Sequence, residues 1–363
     1  MARFRIDEQI MGCLDSIRVL SQKIDYINFG FLDGFVLLYA NIQETQRMLL
    51  CENIHDESLN RHVYRIPVEV IVNILHDGWV DITEYKKGDV IELCIESYSN
   101  ISLKPLISIS IVKELCTASE EMFDYFKMII HARKVYTKEI EDSSYKYFND
   151  NSDFKTALNL VRFSTCKETN IKGVSFFRDK CYIQDNFFQS YFKTLQEYNF
   201  TISTGCLKNL VNITTGTNFY LAERNNAFVV CVTSNGIYSF RKVRSIKPDD
   251  AESIQYTDSV YFDLKRYKTL LDSLRDVKEF HFIPKEKLLI AKTLVANYRI
   301  ELSVEDNNLS EVNIPYSYLK TLIGIPGLSE TIHYNTMNCM FDINVDSEHT
   351  IHTVLLVGGD DVA

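Results

Sequence analysis

The residues of this sequence with an evident chemistry are cationic side chains at helical spacing. Between Leu264 and Lys278, Lys265, Arg266, Lys268, Arg275 and Lys278 stand against only Asp272 and Asp276. Earlier, Lys155, Asn159 and Arg162 recur at i, i+4 and i+7, which stacks them on one face of a helix. Lys208 and Lys320 occupy equivalent places in two further helical patterns. Such rows can contact phosphate oxygens, although each lysine taken singly is the ordinary solvated face of an amphipathic helix. One helix departs from the pattern: after Pro67 the polar positions are Glu69, Asn73 and His76.

Catalytic constellations are thin. The sequence has no phosphate-cradling GxxxxGK[ST], no GxGxxG after a strand and no GxSxG elbow. His349 and His352 are the only close histidine pair, and an alternating strand would point them to opposite faces, which argues against a metal site. Asp249-Asp250 and Asp360-Asp361 read as solvated charge in a linker and a tail. The nine cysteines form no CxxC pair. With no signal peptide or membrane-length apolar run, they read as reduced thiols of a cytoplasmic protein. Neither an active site nor a cofactor or metal is expected.

The elements that must position the cationic faces follow one signature written three times. Ile314-Pro315-x-x-Tyr318-Leu319-x-x-Leu322-Ile323 is matched position for position by Ile66-Pro67-x-x-Val70-Ile71-x-x-Ile74-Leu75, and in the middle by Ile202-Ser203-x-x-Cys206-Leu207-x-x-Leu210-Val211. Each copy reads as a strand ending in Ile that enters a short amphipathic helix, with Pro at its first position or Ser203 or Thr204 as its cap. Before each copy comes a strand, a helix and further strands, including a hairpin turn at Asp33-Gly34. The copies lie too far apart for a solenoid repeat, so the unit is a domain or half of one.

A chain of 363 residues that is 46% hydrophobic can fill two or three cores, and three signatures favour three. The expected partition is domain 1 over residues 1–115, a linker with a helical segment over 116–150, domain 2 over 151–245, a linker over 246–258 and domain 3 over 259–363. Short strand-to-strand loops restrict the α+β architecture to antiparallel sheets with helices on one face. The net charge of −10 argues against a simple cationic nucleic-acid binder, but says nothing of how the two signs are distributed.

Three domains of two strand–helix–strands halves, with an Ile-Pro helix opening each second half, resemble the DNA polymerase sliding clamps in their three-domain bacterial form. The resemblance rests on order and spacing over nearly the whole chain. It implies a homodimeric ring with sheets outside and helices lining a hole for duplex DNA. Lys155, Arg162, Lys208, Lys265, Arg266, Lys268, Arg275 and Lys320 would then face the DNA, bound without regard to sequence. It also implies an apolar groove for partner peptides, for which the candidates are Val243, Ile246, Pro248, Leu355 and Leu356. The partners so implied are the polymerase and, beyond it, a clamp loader or RNA polymerase. The long 116–150 stretch and the Arg241 to Pro248 run depart from the bacterial pattern, which fits a phage-encoded member in a host cytoplasm. The alternative is a clamp-like protein that no longer encircles DNA and recruits partners through 116–150.

Overall fold

In the computed structural model the described residues are 1–6, 26–42, 45–55, 62–68, 76–88, 90–99, 101, 104–113, 116–117, 120–164, 173–184, 188–224, 227–233, 236–243, 255–256, 258–261, 268–269, 273–274, 277–283, 288–293, 295–301, 312–315, 324–334 and 339–355. They form two compact units, one of residues 1–150 and 212–241, the other of 151–211 and 242–363. Every strand pairing within them is antiparallel.

The first unit holds a 13-stranded sheet whose longest path runs Tyr145–Phe148, Phe219–Glu223, Ala227–Cys231, Gly236–Arg241, Thr45–His55, Ala2–Ile6, Gly78–Lys87, Val90–Tyr98, Ile107–Lys113. The strands Tyr26–Leu32, Phe35–Ile42 and His62–Pro67 branch from it. Asp33 and Gly34 turn the first hairpin with φ of 49° and 78°. That is the double left-handed conformation whose twist suits paired strands, and it explains the Asp-Gly.

Both faces of these branch strands are buried. Phe29, Phe31, Val36, Leu38, Tyr64 and Ile66 join one core with Phe4, Val80, Ile82, Leu93 and Ile95, and Val68 at the start of the first signature helix lies in that cluster. The alternate residues Leu32, Leu37, Tyr39 and Val63 join a second core with Phe126, Ile129, Ala132 and Val135 of helix α1, Glu120–Tyr136. The stretch 116–150 therefore carries the expected helix and is packed into the unit along its length. Its strand Tyr145–Phe148 pairs with Phe219–Glu223. Gly30 makes room for α1, because a Cβ there would stand 2.2 Å from the Phe126 ring. Helix α1 covers the face of these strands opposite the Phe29 core.

The second unit holds a six-stranded sheet in the order Val174–Gln184, Phe188–Ile202, Thr350–Leu355, Cys339–Asn344, Leu328–Tyr334, Asp258–Tyr261. A separate four-stranded sheet runs Asn297–Glu301, Leu288–Thr293, Val277–Ile283, Val312–Pro315. Helix α2, Ser152–Ser164, buries Phe154, Ala157, Leu160 and Val161 against the first two strands. There Phe154 meets Phe176 edge to face at 5.5 Å and tilts against Tyr198 at 5.5 Å.

The middle signature helix is α3, Thr204–Thr214. Ser203 caps it, its Oγ accepting from the Cys206 N–H at 3.2 Å. The strand His62–Pro67 and the strand Val312–Pro315 end where the other two copies require. Their helices, at 69–75 and 316–323, lie outside the described residues, as does the helix expected from Asp7 to Ser21. After the first and last copies the chain re-enters a sheet through Gly78 and Gly327, with φ of 144° and 83°. A Cβ on either would lie 2.0 Å from a backbone oxygen, Tyr98 O or Asn344 O, so both positions require glycine.

Candidate nucleic-acid interface and partner groove

The apolar stripe of α2 fixes which residues face water. With Phe154, Ala157, Leu160 and Val161 turned to the sheet, Lys155 and Arg162 are exposed and Asn159 is half-buried. The same logic on α3 buries Cys206, Leu207, Leu210 and Val211 and exposes Lys208. The start of α2 and the end of α3 are tied together, Asn151 Nδ2 donating to the Val211 carbonyl at 3.2 Å. Three of the expected cations thus lie on the solvent faces of two neighbouring helices, placed there by the burial of the opposite faces. Lys268 is exposed in a stretch with helical backbone. Lys265, Arg266, Arg275 and Lys320 lie outside the described residues.

The groove candidates are placed less compactly. The Val243 N–H donates to the Thr201 carbonyl at 2.8 Å, and its Cγ2 lies 3.2 Å from where a Cβ on Gly173 would stand. Leu355 pairs with Phe188, at the other end of the hairpin in which Val174 faces Ile202 and Gln184 faces Gln189. Ten residues of strand separate the two ends, roughly 33 Å at the usual rise. Val243 and the backbone of Leu355 are therefore not neighbours. Ile246, Pro248 and Leu356 lie outside the described residues, and the side chain of Leu355 is not described.

Sequence reasoning missed two exposed apolar residues on the hairpin whose end Val243 joins. Phe177 is 43% exposed and Leu195 is 48% exposed. Phe177 shares the strand face of Gly173, about 13 Å along it, and the Arg178 guanidinium lies 5.4 Å from its ring centroid. Arg178 itself has φ 53° beside a register shift that ends at Lys180. The signal was the Phe176-Phe177 pair: Phe176 is buried, so its neighbour in an alternating strand must face out.

Among the described residues the buried thiols Cys181 and Cys231 are inert and the histidine pair is engaged. Burial pushes the Cys231 thiol up to about 12, and burial, with the nearby Asp153 charge, pushes Cys181 well above its ordinary value. Thiols held protonated are poor nucleophiles. His349 and His352 part company. His349 turns inward to Asp153 and Asp346, while His352 Nδ1 meets Asp342 Oδ1 at 2.8 Å and its ring is tilted against Tyr191 at 5.1 Å. Among the described residues no helix is long and apolar enough to cross a membrane.

Bacterial β-clamps are among the solved structures to which this chain is similar. Caulobacter crescentus pol III beta superposes with a TM-score of 0.61 at 11% identity, over 98% of this chain and 99% of that one. The chain has the bacterial β-clamp fold. A DNA polymerase III beta subunit from Eubacterium rectale matches with a TM-score of 0.58 at 13% identity, 100% of each chain being covered. The Helicobacter pylori β-clamp bound to a DNA ligase peptide matches at 0.52 and 13%, over 98% and 99%. No protein-family model and no curated relative matches the sequence. The clamp fold thus stands here on a sequence that shares 11–13% of its residues with these structures.

Proposed function

We propose that the chain is a processivity factor: two copies close into a ring that encircles duplex DNA, slides on it and tethers a polymerase. The single observation that carries this reading is the clamp fold over the chain's full length. The cationic solvent faces of α2 and α3 support it, since a sliding protein needs contacts to phosphates and none to base edges. Three tandem domains, with the boundaries expected above, make a six-domain ring of two copies. The described residues supply free edges for closure, because the first unit's sheet ends at Ile107–Lys113 and the four-stranded sheet ends at Asn297–Glu301. An unpaired strand edge is a template for another chain, and a head-to-tail contact that closes gives a ring.

In this reading the protein is a cytoplasmic scaffold and not an enzyme. Partner peptides, such as the polymerase's own tail, insert apolar anchors beside Val243. DNA topology provides the test. Protein loaded on a nicked circle should elute with the DNA and be lost when the circle is cut once, with half or more of it released. Retention that ignores the cut would refute encirclement.

A further inference from the structure

The buried carboxylate at the start of α2 takes no part in either surface. Asp153 is 4% exposed. Its oxygens accept from the Leu195 N–H at 2.9 and 3.1 Å, from the Tyr198 hydroxyl at 2.8 Å and from His349 Nε2 at 3.1 Å. The His349 side chain is fully buried, and its Nδ1 lies 3.0 and 3.1 Å from the two oxygens of Asp346. Asp346 also accepts from the backbone N–H groups of Glu348 and His349, both at 2.8 Å. The imidazole thus has a carboxylate at each nitrogen. A neutral imidazole has one N–H and one lone pair, so it could satisfy only one carboxylate and would turn its lone pair on the other. Only the imidazolium donates to both.

We propose that protonated His349 is a latch that fastens the turn at 345–349 to the start of α2, and that loss of its proton releases the turn. That turn joins Cys339–Asn344 to Thr350–Leu355, and the latter strand is paired with Phe188–Ile202. The latch therefore holds the last hairpin of the chain to its middle third. The groups facing it are Asp153 from α2, Asp346 from the turn, Tyr198 and the edge of the Phe192 ring, 5.7 Å away, from Phe188–Ile202, and Cys181 beside Asp153 from Val174–Gln184. The hydrogen bond that His349 donates to Asp153 raises the His349 pKa above its ordinary value, against the effect of burial and with help from Asp346.

A histidine whose pKa is raised by folding contributes stability that is complete below its unfolded value, about 6.5, and is lost as pH rises through the folded value. Within that window the unfolding constant should grow by up to about tenfold per pH unit, one proton being released on unfolding.

The test uses the full chain. The imidazole Cε1–H resonances of its eight histidines are followed by NMR from pH 5 to 9, beside urea unfolding of the parent, His349→Gln and Asp346→Asn. One resonance, missing in His349→Gln, should still be protonated after exposed histidines have titrated. It should titrate at lower pH in Asp346→Asn. The parent should lose stability as pH rises above about 6.5 with a slope that His349→Gln lacks. A His349 resonance that titrates at about 6.5 or below, or equal slopes in parent and His349→Gln, would overturn the latch. If His349→Gln does not fold, the resonance identified by its shift in Asp346→Asn decides the matter by the same criterion.

Discussion

The contact between Gly30 and Phe126 offers a sharp test of how the 116–150 stretch is held. A methyl at Gly30 would stand 2.2 and 2.3 Å from two atoms of the Phe126 ring. The ring has little room to yield: it is 2% exposed and wedged between Tyr39 and Phe123, each at 6.0 Å. Gly30→Ala should therefore cost the overpacking penalty of about 1–3 kcal/mol. Phe126→Ala removes the ring from a buried site and should cost about 3–5 kcal/mol. In the double variant the new methyl enters the space the ring has left, so the cost of Gly30→Ala should vanish. The expected coupling is at least ~1 kcal/mol in favour of the double variant, well beyond the ~0.5 kcal/mol within which independent sites add. Trp79, the only tryptophan, lies in the first unit, so its fluorescence through a urea titration reports that unit directly. Additive losses would mean that α1 does not press on Gly30, and the packing of the stretch described above would be refuted.

Three further outcomes are expected. Replacing Lys155, Arg162 and Lys208 together by Ala should flatten the log–log salt dependence of DNA retention by about 0.9 for each phosphate no longer neutralised, with an unchanged melting temperature; an unchanged slope would leave these faces merely solvated. Gly327→Ala and Gly34→Ala should each lower stability by about 1–3 kcal/mol in a thermal melt from their left-handed φ, and Gly327→Ala by more, through the clash with Asn344 O, where Gly34 has open space around it. On the acid side, burial of Asp346 is outweighed by hydrogen bonds from the Glu348 N–H and from His349, which hold its carboxyl below the ordinary value; its stabilisation is present above that ordinary value and lost as pH falls through the lowered one, and Asp346→Asn should abolish this limb in urea titrations.

Local structure was legible in the sequence wherever periodicity and turn chemistry agreed. Asp33-Gly34, the Ser203 cap and the apolar stripe of α2 each follow from one residue type in one place. The docking of α1 was legible too, though less openly. Phe35-Val36-Leu37-Leu38-Tyr39 is a strand with no alternation, and a strand apolar on both sides must be covered on both sides. By contrast Ile107-Ser108-Ile109-Ser110-Ile111 alternates, and its serines are exposed. The site at Asp153 could not be read from sequence, because Leu195, Tyr198, Asp346 and His349 meet only through the pairing of Phe188–Ile202 with Thr350–Leu355. For the same reason Val243 and Leu355 looked like neighbours and are not. Register decides which end of a long hairpin each one meets, and spacing along the chain carries no register between distant strands.

Each junction between thirds of the chain is a continuous antiparallel sheet with an added clasp. Gly236–Arg241 pairs with Thr45–His55, and α1 packs over strands from both thirds. Phe188–Ile202 pairs with Thr350–Leu355, with His349 held by Asp153. The free edges at Ile107–Lys113 and Asn297–Glu301 show no comparable clasp among the described residues, and Asn297, Tyr298 and Arg299 are all exposed. In the proposed ring of two copies, opening is then expected between the copies, where the described residues carry no such clasp. Along an edge strand successive N–H groups point alternately into the sheet and away from it, so Ile109→Pro and Ser110→Pro should behave differently. One removes an N–H bonded to Val90–Tyr98 and destabilises the first unit; the other removes an outward N–H, which an edge strand tolerates, and leaves a folded chain of half the parent's native mass. Native mass spectrometry beside thermal melts separates the two. If both variants keep the parent's mass while folded, the copies do not join through this edge, and closure of a ring by strand pairing at Ile107–Lys113 is wrong.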